Sequence, residues 1–297
     1  MSTSVELLLP TLRCQVGESP LWHPAESALY WVDIEGYAIH RWDSASGVHR
    51  AWSTPERPAC IALHHAGGLL AGMDTGLFHV TLPPHGTQAQ TTPLAAIAHP
   101  QDGMRCNDGR CDRQGRFWVG TMVRDMGRAA AAGQLYRYDG QGLSAPVRSG
   151  FITPNGLAFS PDGRTAYFSD SHPQVQQIWQ APLHADGTLG QPTLFVDMRA
   201  LPGRPDGAAI DVDGGYWICG NDAGLVHRFT PDGRLDRSIA MPTRKPAMCS
   251  FGGPDMDCLF ITTIRPGQPQ GDDITLGGAV FVTRPGVQGL AETPFGA

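Results

Sequence analysis

Glu18, Asn107, Asn155 and Asp206 each lie four positions before an apolar residue that leads into a turn and then a strand. Aligning the chain on those apolar residues (Trp22, Leu63, Cys111, Phe159, Ile210 and Phe251) gives six equivalent positions: Glu18, Ala59, Asn107, Asn155, Asp206 and Ala247. Four carry oxygen donors and two are blank. Two carboxylates and two amides brought together are costly if unpaired, because close like charges disfavour joint ionisation. A divalent cation removes that cost. Glu18 and Asp206 neutralise its charge and Asn155 adds a carbonyl oxygen, an oxygen-only set that suits calcium, magnesium or manganese. With no His or Cys in the set, zinc is less expected. Three or four protein ligands leave room for water and substrate, and such a metal polarises a carbonyl and acidifies a bound water. Ester or lactone hydrolysis is the simplest chemistry this supports. A serine hydrolase is disfavoured, since no Gly-x-Ser-x-Gly elbow occurs and Ser19, the one Ser beside the site, has no visible His partner.

Neighbouring residues extend the set. Arg105 stands two positions before Asn107, on the same face of an extended chain, where it can bind hydroxyls or a developing carboxylate. An ion pair with Asp102 or Asp108 is an equally open reading. Asp108 points away from Asn107 and is expected to brace the turn or orient the groups around it. Asp125 follows the strand ending Gly120-Thr121-Met122 and falls at the channel mouth, although by itself it reads as a solvated loop residue. Asn and Asp before Gly are common turn formers; Glu18 is not, and the shared phase of all four carries the inference.

The elements that would position these residues are short strands. Apolar runs such as Ala28–Val32, Arg116–Val119, Thr165–Ser169 and Gly215–Cys219 read as strands. Asp-Gly pairs at 139, 162, 186, 213 and 232 supply tight turns. No segment holds a 3.6-residue apolar stripe over three turns, so helices are expected to be few, and the Ala129–Ala132 run is too short to count. The six aligned positions recur every roughly 40 to 50 residues, the signature of propeller blades. Six blades use up the chain as one domain, 1–297, an all-β six-bladed propeller with the polar positions converging at one end of the central channel.

Composition excludes several classes. At 297 residues and 41% hydrophobic content the chain buries a substantial core. Seven Cys, odd in number and without a Cys-x-x-Cys pair, indicate neither a disulfide framework nor a thiolate zinc site. Net charge of -6 with dispersed Lys and Arg gives no nucleic-acid surface. The N-terminus has no basic flank and only three apolar residues before Pro10, and no run of membrane-spanning length follows. No membrane, nucleic-acid or obligate protein partner is expected, and the natural location is cytoplasmic. Adjacent His64 and His65 point to opposite faces of a strand, so a loop or edge place suits them better than a metal site.

Several blocks carry a resemblance: Gly17–Trp22, Arg105–Gly109 followed by Gly115–Met122, Asn155–Gly163, Pro205–Gly207 and Phe251–Asp255. In this order, across nearly the whole chain to Gly277–Phe281, they resemble the senescence marker protein (regucalcin), gluconolactonase and luciferin-regenerating enzyme family. The resemblance implies a propeller that hydrolyses sugar lactones with one divalent metal, calcium first, with magnesium, manganese, zinc and ferrous iron as alternatives. It makes Glu18, Asn155 and Asp206 the metal ligands and Asp206 also the base. Arg105 and Asn107 become contacts to substrate or water. Asp125 stands where relatives often carry a Glu that contacts the sugar, and the Ala-rich segment from Arg124 to Gly133 departs from relatives and forms part of a lid. The implied mechanism puts the lactone carbonyl on the metal, which stabilises the oxyanion as water oriented or deprotonated by Asp206 attacks. Ala59 and Ala247 would leave room for the sugar ring. A broader esterase or phosphotriesterase, and a non-catalytic calcium-binding or protein-binding propeller, are the competing readings.

Overall fold

A computed structural model describes residues 4–296. The first three residues and Ala297, counted in the expected 1–297 domain, lie outside the described residues. The strands form six four-stranded antiparallel sheets. The inner strands are Gly17–His23, Cys60–Leu63, Met104–Cys111, Pro154–Phe159, Arg204–Ile210 and Pro246–Gly252. Each packs against the next, and the last returns to the first, closing a ring of six blades around a channel. The expected six-bladed propeller is therefore the observed fold.

Ring closure uses both halves of the chain. Val5–Leu7 pairs antiparallel with Val280–Thr283 as the outer strand of the sixth blade, whose other three strands come from the C-terminal part. This covers an edge that would otherwise be open to pairing.

The predicted apolar runs become the second strand of their blades, Ala28–Asp33, Phe117–Val123, Thr165–Asp170 and Tyr216–Asn221. Each is covered on both faces by neighbouring blades, so its apolar run is continuous and not alternating. Trp31, Trp118 and Trp217 are fully buried there. In most blades a side chain one step after the inner-strand anchor ties the following turn. Asp112 accepts from the backbone of Gln114 and Arg116 and from Trp118 Nε1 at 2.8 Å. Asp211 repeats the device with Asp213, Gly215 and Trp217. His23 and His64 occupy the same place in their blades, each accepting a backbone N–H at Nδ1. His64 is thus a turn cap, in keeping with its expected loop position.

Five inner strands carry a register shift at or just after the aligned position, between Glu18 and Leu21, Cys106 and Gly109, Asn155 and Ala158, Pro205 and Ala208, and Pro246 and Met248. A bulge adds one residue and re-aims the side chain beside it. At Gly156 (φ 67) a Cβ would lie 2.6 Å from Tyr216 Oη and 2.8 Å from Ser169 Oγ, so the bulge requires glycine there. The second inner strand, behind the blank Ala59, pairs with Leu69–Gly72 without a shift.

Helix is confined, among the described residues, to Asp273–Leu276 and two 3₁₀ turns. None is long and apolar enough to cross a membrane. All seven cysteines are buried and free. The C-terminal segment runs across the far end of the channel: Gly289 bridges to Asp211, Phe295 to His64, and the Phe295 ring stacks on Tyr138 at 5.2 Å.

Candidate metal and active site

Glu18, Asn155 and Asp206 line one cavity of about 80 Å³ at the strand-start end of the channel, together with Arg105 and Asn107. The inner strands run side by side, so residues in one phase of the repeat arrive at one level of the axis. Asn155 and Asp206 are buried, at 5% and 7% exposure.

Hydrogen bonds assign the amides different parts. Arg105 Nη1 donates to Asn107 Oδ1 at 2.8 Å and to the Cys106 carbonyl. Asn107 Nδ2 donates to Asn155 Oδ1 at 3.0 Å and to the Pro154 carbonyl. Asn155 Nδ2 in turn donates to Ser171 Oγ at 2.8 Å, which fixes its amide with the oxygen toward the cavity. Asn221 Nδ2 donates to Asp206 Oδ2 at 2.6 Å, leaving Oδ1 free. Arg204 straddles both braces, donating from Nη1 to the Ser171 carbonyl and from Nη2 to Asn221 Oδ1.

The electrostatics match a site built for a cation. Burial raises the Glu18 carboxyl well above the usual range, and Asp206 and Asp108 raise it further. Burial pushes Asp206 up to about 7, opposed by Arg204 and the Asn221 hydrogen bond. Two carboxylates that resist ionisation together, with free oxygens and a neutral carbonyl beside them, fit a hard divalent ion. Zinc-type donors do not line this cavity.

Cys14, Asp33 and His40 form a second group with ligand atoms within 4.8 Å of one another. The Asp33 carboxylate there accepts the backbone N–H groups of Gln15, Val16 and Gly36. Asp170, at the same place in the fourth blade, does the same for Ile152, Thr153 and His172. A repeated loop brace accounts for Asp33.

The remaining expectations divide. No carboxylate lies within ion-pair distance of Arg105 among the described residues, so the Asp102 or Asp108 pair does not form. Asp108 accepts from the Leu157 N–H at 2.8 Å and braces the third blade to the fourth. Ser19 bonds the backbone of Ile61 and has no His partner. Asp125 does not line the cavity; its carboxylate caps the 3₁₀ turn Met126–Arg128, and Met126 reaches the cavity instead. Ala59 and Ala247 are packed away from the cavity, whose apolar wall comes from Val16, Ile34, Met122, Met126 and Ile264. Sequence alone does not single out Ser171, Asn221 or Arg204. A signal for Asn221 exists in the repeat, because it holds the phase of Ser171, one residue after the place of the loop-bracing Asp33 and Asp170.

The chain is similar to known proteins along most of its length. The 6-deoxy-6-sulfogluconolactonase of Pseudomonas putida is 38% identical over 96% of this chain and 98% of its own length. The pentonolactonase of Haloferax volcanii is 33% identical over 84% and 82%. A solved structure of regucalcin from Agrobacterium tumefaciens, described as a calcium-binding protein, superposes with a TM-score of 0.89 at 28% identity, covering 99% of this chain and 98% of that one. The profile of the SMP-30/Gluconolactonase/LRE-like region matches residues 16–265, and the chain belongs to that family.

Proposed function

We propose that this protein is a metal-dependent hydrolase that opens sugar lactones to the corresponding sugar acids, a carboxylic ester hydrolase of the gluconolactonase kind. The observation that carries the reading is the convergence of Glu18, Asn155 and Asp206, with Asp206 Oδ1 free and neither carboxylate ion-paired, on one cavity of a chain in this family. These three residues would hold one divalent ion, calcium first by analogy with the calcium-binding relative. When bound, the ion supplies Lewis acidity toward the ring carbonyl.

The chain's own residues supply the rest. Asp206, held at Oδ2 by Asn221, orients a water and takes its proton at Oδ1. Arg105 and Asn107 bind substrate oxygens, with the Arg105 guanidinium steadied by Asn107 and the Cys106 carbonyl. Ile34, Met122, Met126 and Ile264 cover the sugar faces and thin the water around the reacting bond. Asp125, beside Met126, would reach substrate only by releasing its cap of the 3₁₀ turn. Seven free buried thiols support a reducing, cytoplasmic setting.

The test is chelated enzyme restored with calcium, magnesium, manganese, zinc or ferrous iron and assayed on pentono- and hexonolactones. A sulfonated hexonolactone belongs in the panel because of the relative named for one. Each rate is read against a buffer blank, since aldonolactones open spontaneously. Aryl esters and phosphotriesters in the same panel separate the broader esterase. Metal binding without turnover of any lactone would leave the scaffold reading standing.

A further inference from the structure

A second ring of aligned residues sits one layer above the metal-binding level. Two positions before the six phase positions stand Val16, Arg57, Arg105, Thr153, Arg204 and Lys245. Residues i and i+2 of an extended chain face the same way, so this layer faces the channel mouth about 6.6 Å further out. Val16, Arg105, Thr153 and Arg204 line the cavity itself. Four of the six are cations.

Their pairing is uneven. Arg57 contacts both Glu35 (3.0 Å) and Asp74 (3.3 Å). Arg204 and Lys245 share the single carboxylate of Asp222, which reaches them from a left-handed backbone (φ 73). Arg105 has no carboxylate within ion-pair distance. In direct ion pairs four cations meet three carboxylates, with Arg105 unpaired and Arg204 and Lys245 sharing one; Glu18 and Asp206, one layer below, attract Arg105 and Arg204 until a metal ion neutralises them. A neutral polyol does not call for surplus guanidinium at this level, because leaving a partly buried cation unpaired is costly.

We infer that this collar binds a terminal anionic group, a sulfonate, phosphate or carboxylate, on the end of the lactone remote from the ring carbonyl. The inference rests on the lactonase reading for the word lactone, and names the substrate class of that same site. Arg204, already donating once from each nitrogen, keeps one N–H on each Nη for a three- or two-oxygen anion, while Lys245 adds a point charge beside it. The separation of one layer matches the reach of a hexose tail from its carbonyl carbon. Asp222 holds both cations in place until the anion arrives and then shares them.

The experiment compares glucono-1,5-lactone with its 6-phospho and 6-deoxy-6-sulfo counterparts on metal-loaded protein, and measures gluconate against 6-phosphogluconate binding by calorimetry. The expected result is kcat/KM at least about tenfold higher for the anionic lactones, and binding about tenfold tighter for the doubly anionic acid, both weakening with salt. In Arg204→Met and Lys245→Met, checked for native folding by melting, the anionic-to-neutral ratio should collapse toward one. Equal wild-type values for neutral and anionic ligands, or ratios unmoved by both substitutions, would overturn the collar. Tighter binding of 6-phosphogluconate with no lactone turned over would uphold the collar and sink the lactonase reading instead.

Discussion

The two ends of the channel handle buried charge in opposite ways. At the strand-start end, Glu18 and Asp206 face one cavity without a cationic side chain bonded to either carboxylate among the described residues. At the other end, Arg110 is buried but satisfied: Glu292 ion-pairs with it and the Ala208 carbonyl accepts from Nη2 at 2.6 Å. Both ends are lined by the same repeated strands. The contrast therefore comes from what was added, a C-terminal segment that crosses one mouth and, among the described residues, not the other. Carboxyls without a paired cation line one mouth, and a paired Arg lies beneath the closed one.

Substitutions at each end should separate the two. Asp206→Asn should lower lactone turnover by about a thousandfold, because it removes both a ligand charge and the proton acceptor. Near-full kcat with unchanged metal affinity would refute the assigned roles. Glu292→Ala should do the reverse, destabilising the fold by about 3 kcal/mol because Arg110 is left buried and unpaired. Denaturant unfolding reads that loss, and turnover per folded molecule should stay close to wild type.

The pH response of the metal-free protein sharpens the contrast further. Asp206 and Glu18 bind protons more tightly folded than unfolded. Their contribution to stability is therefore full below the unfolded carboxylate range and is lost as pH rises toward about 7. Melting of chelated protein should fall by the equivalent of on the order of 3 kcal/mol between about pH 4 and pH 7, and saturating divalent metal should abolish the fall. A flat profile without metal would mean that the two carboxylates are already compensated.

Smaller effects test the braces. Asn221→Leu should weaken metal affinity by about tenfold through loss of the hydrogen bond that orients Asp206, read by competition with a chelating dye. Asp125→Ala should cost about 1 kcal/mol or less as a lost cap, with kcat/KM for a neutral lactone within about threefold of wild type. A larger kinetic loss would restore Asp125 to the substrate.

The strands and turns are readable locally. Apolar runs and Asp-Gly pairs mark hairpins through backbone preference alone, and both Ala28–Asp33 and Thr165–Asp170 fall where those runs place them. Asp125 departs from its expected place because sequence cannot distinguish a carboxylate that caps a 3₁₀ turn from one that faces substrate; the two differ by a rotation of the chain after Val123. The room expected at Ala59 and Ala247 fails similarly, since neighbouring blades close over small residues and leave no space.

Sequence by itself determined the levels of the site. A repeat with a constant offset from its anchor delivers equivalent residues to one height along the axis, so spacing alone groups Glu18, Asn107, Asn155 and Asp206, and the collar two residues earlier carries the same signal. Tertiary structure alone decided what each does. Asn107 spends its amide on Asn155 and Pro154, Asn221 turns to Asp206 as Ser171 does to Asn155, and Glu292 reaches Arg110 across 182 residues. Hydrogen-bond partners and charge neutralisation depend on which side chains meet across blades, and the phase of a single strand does not contain that information.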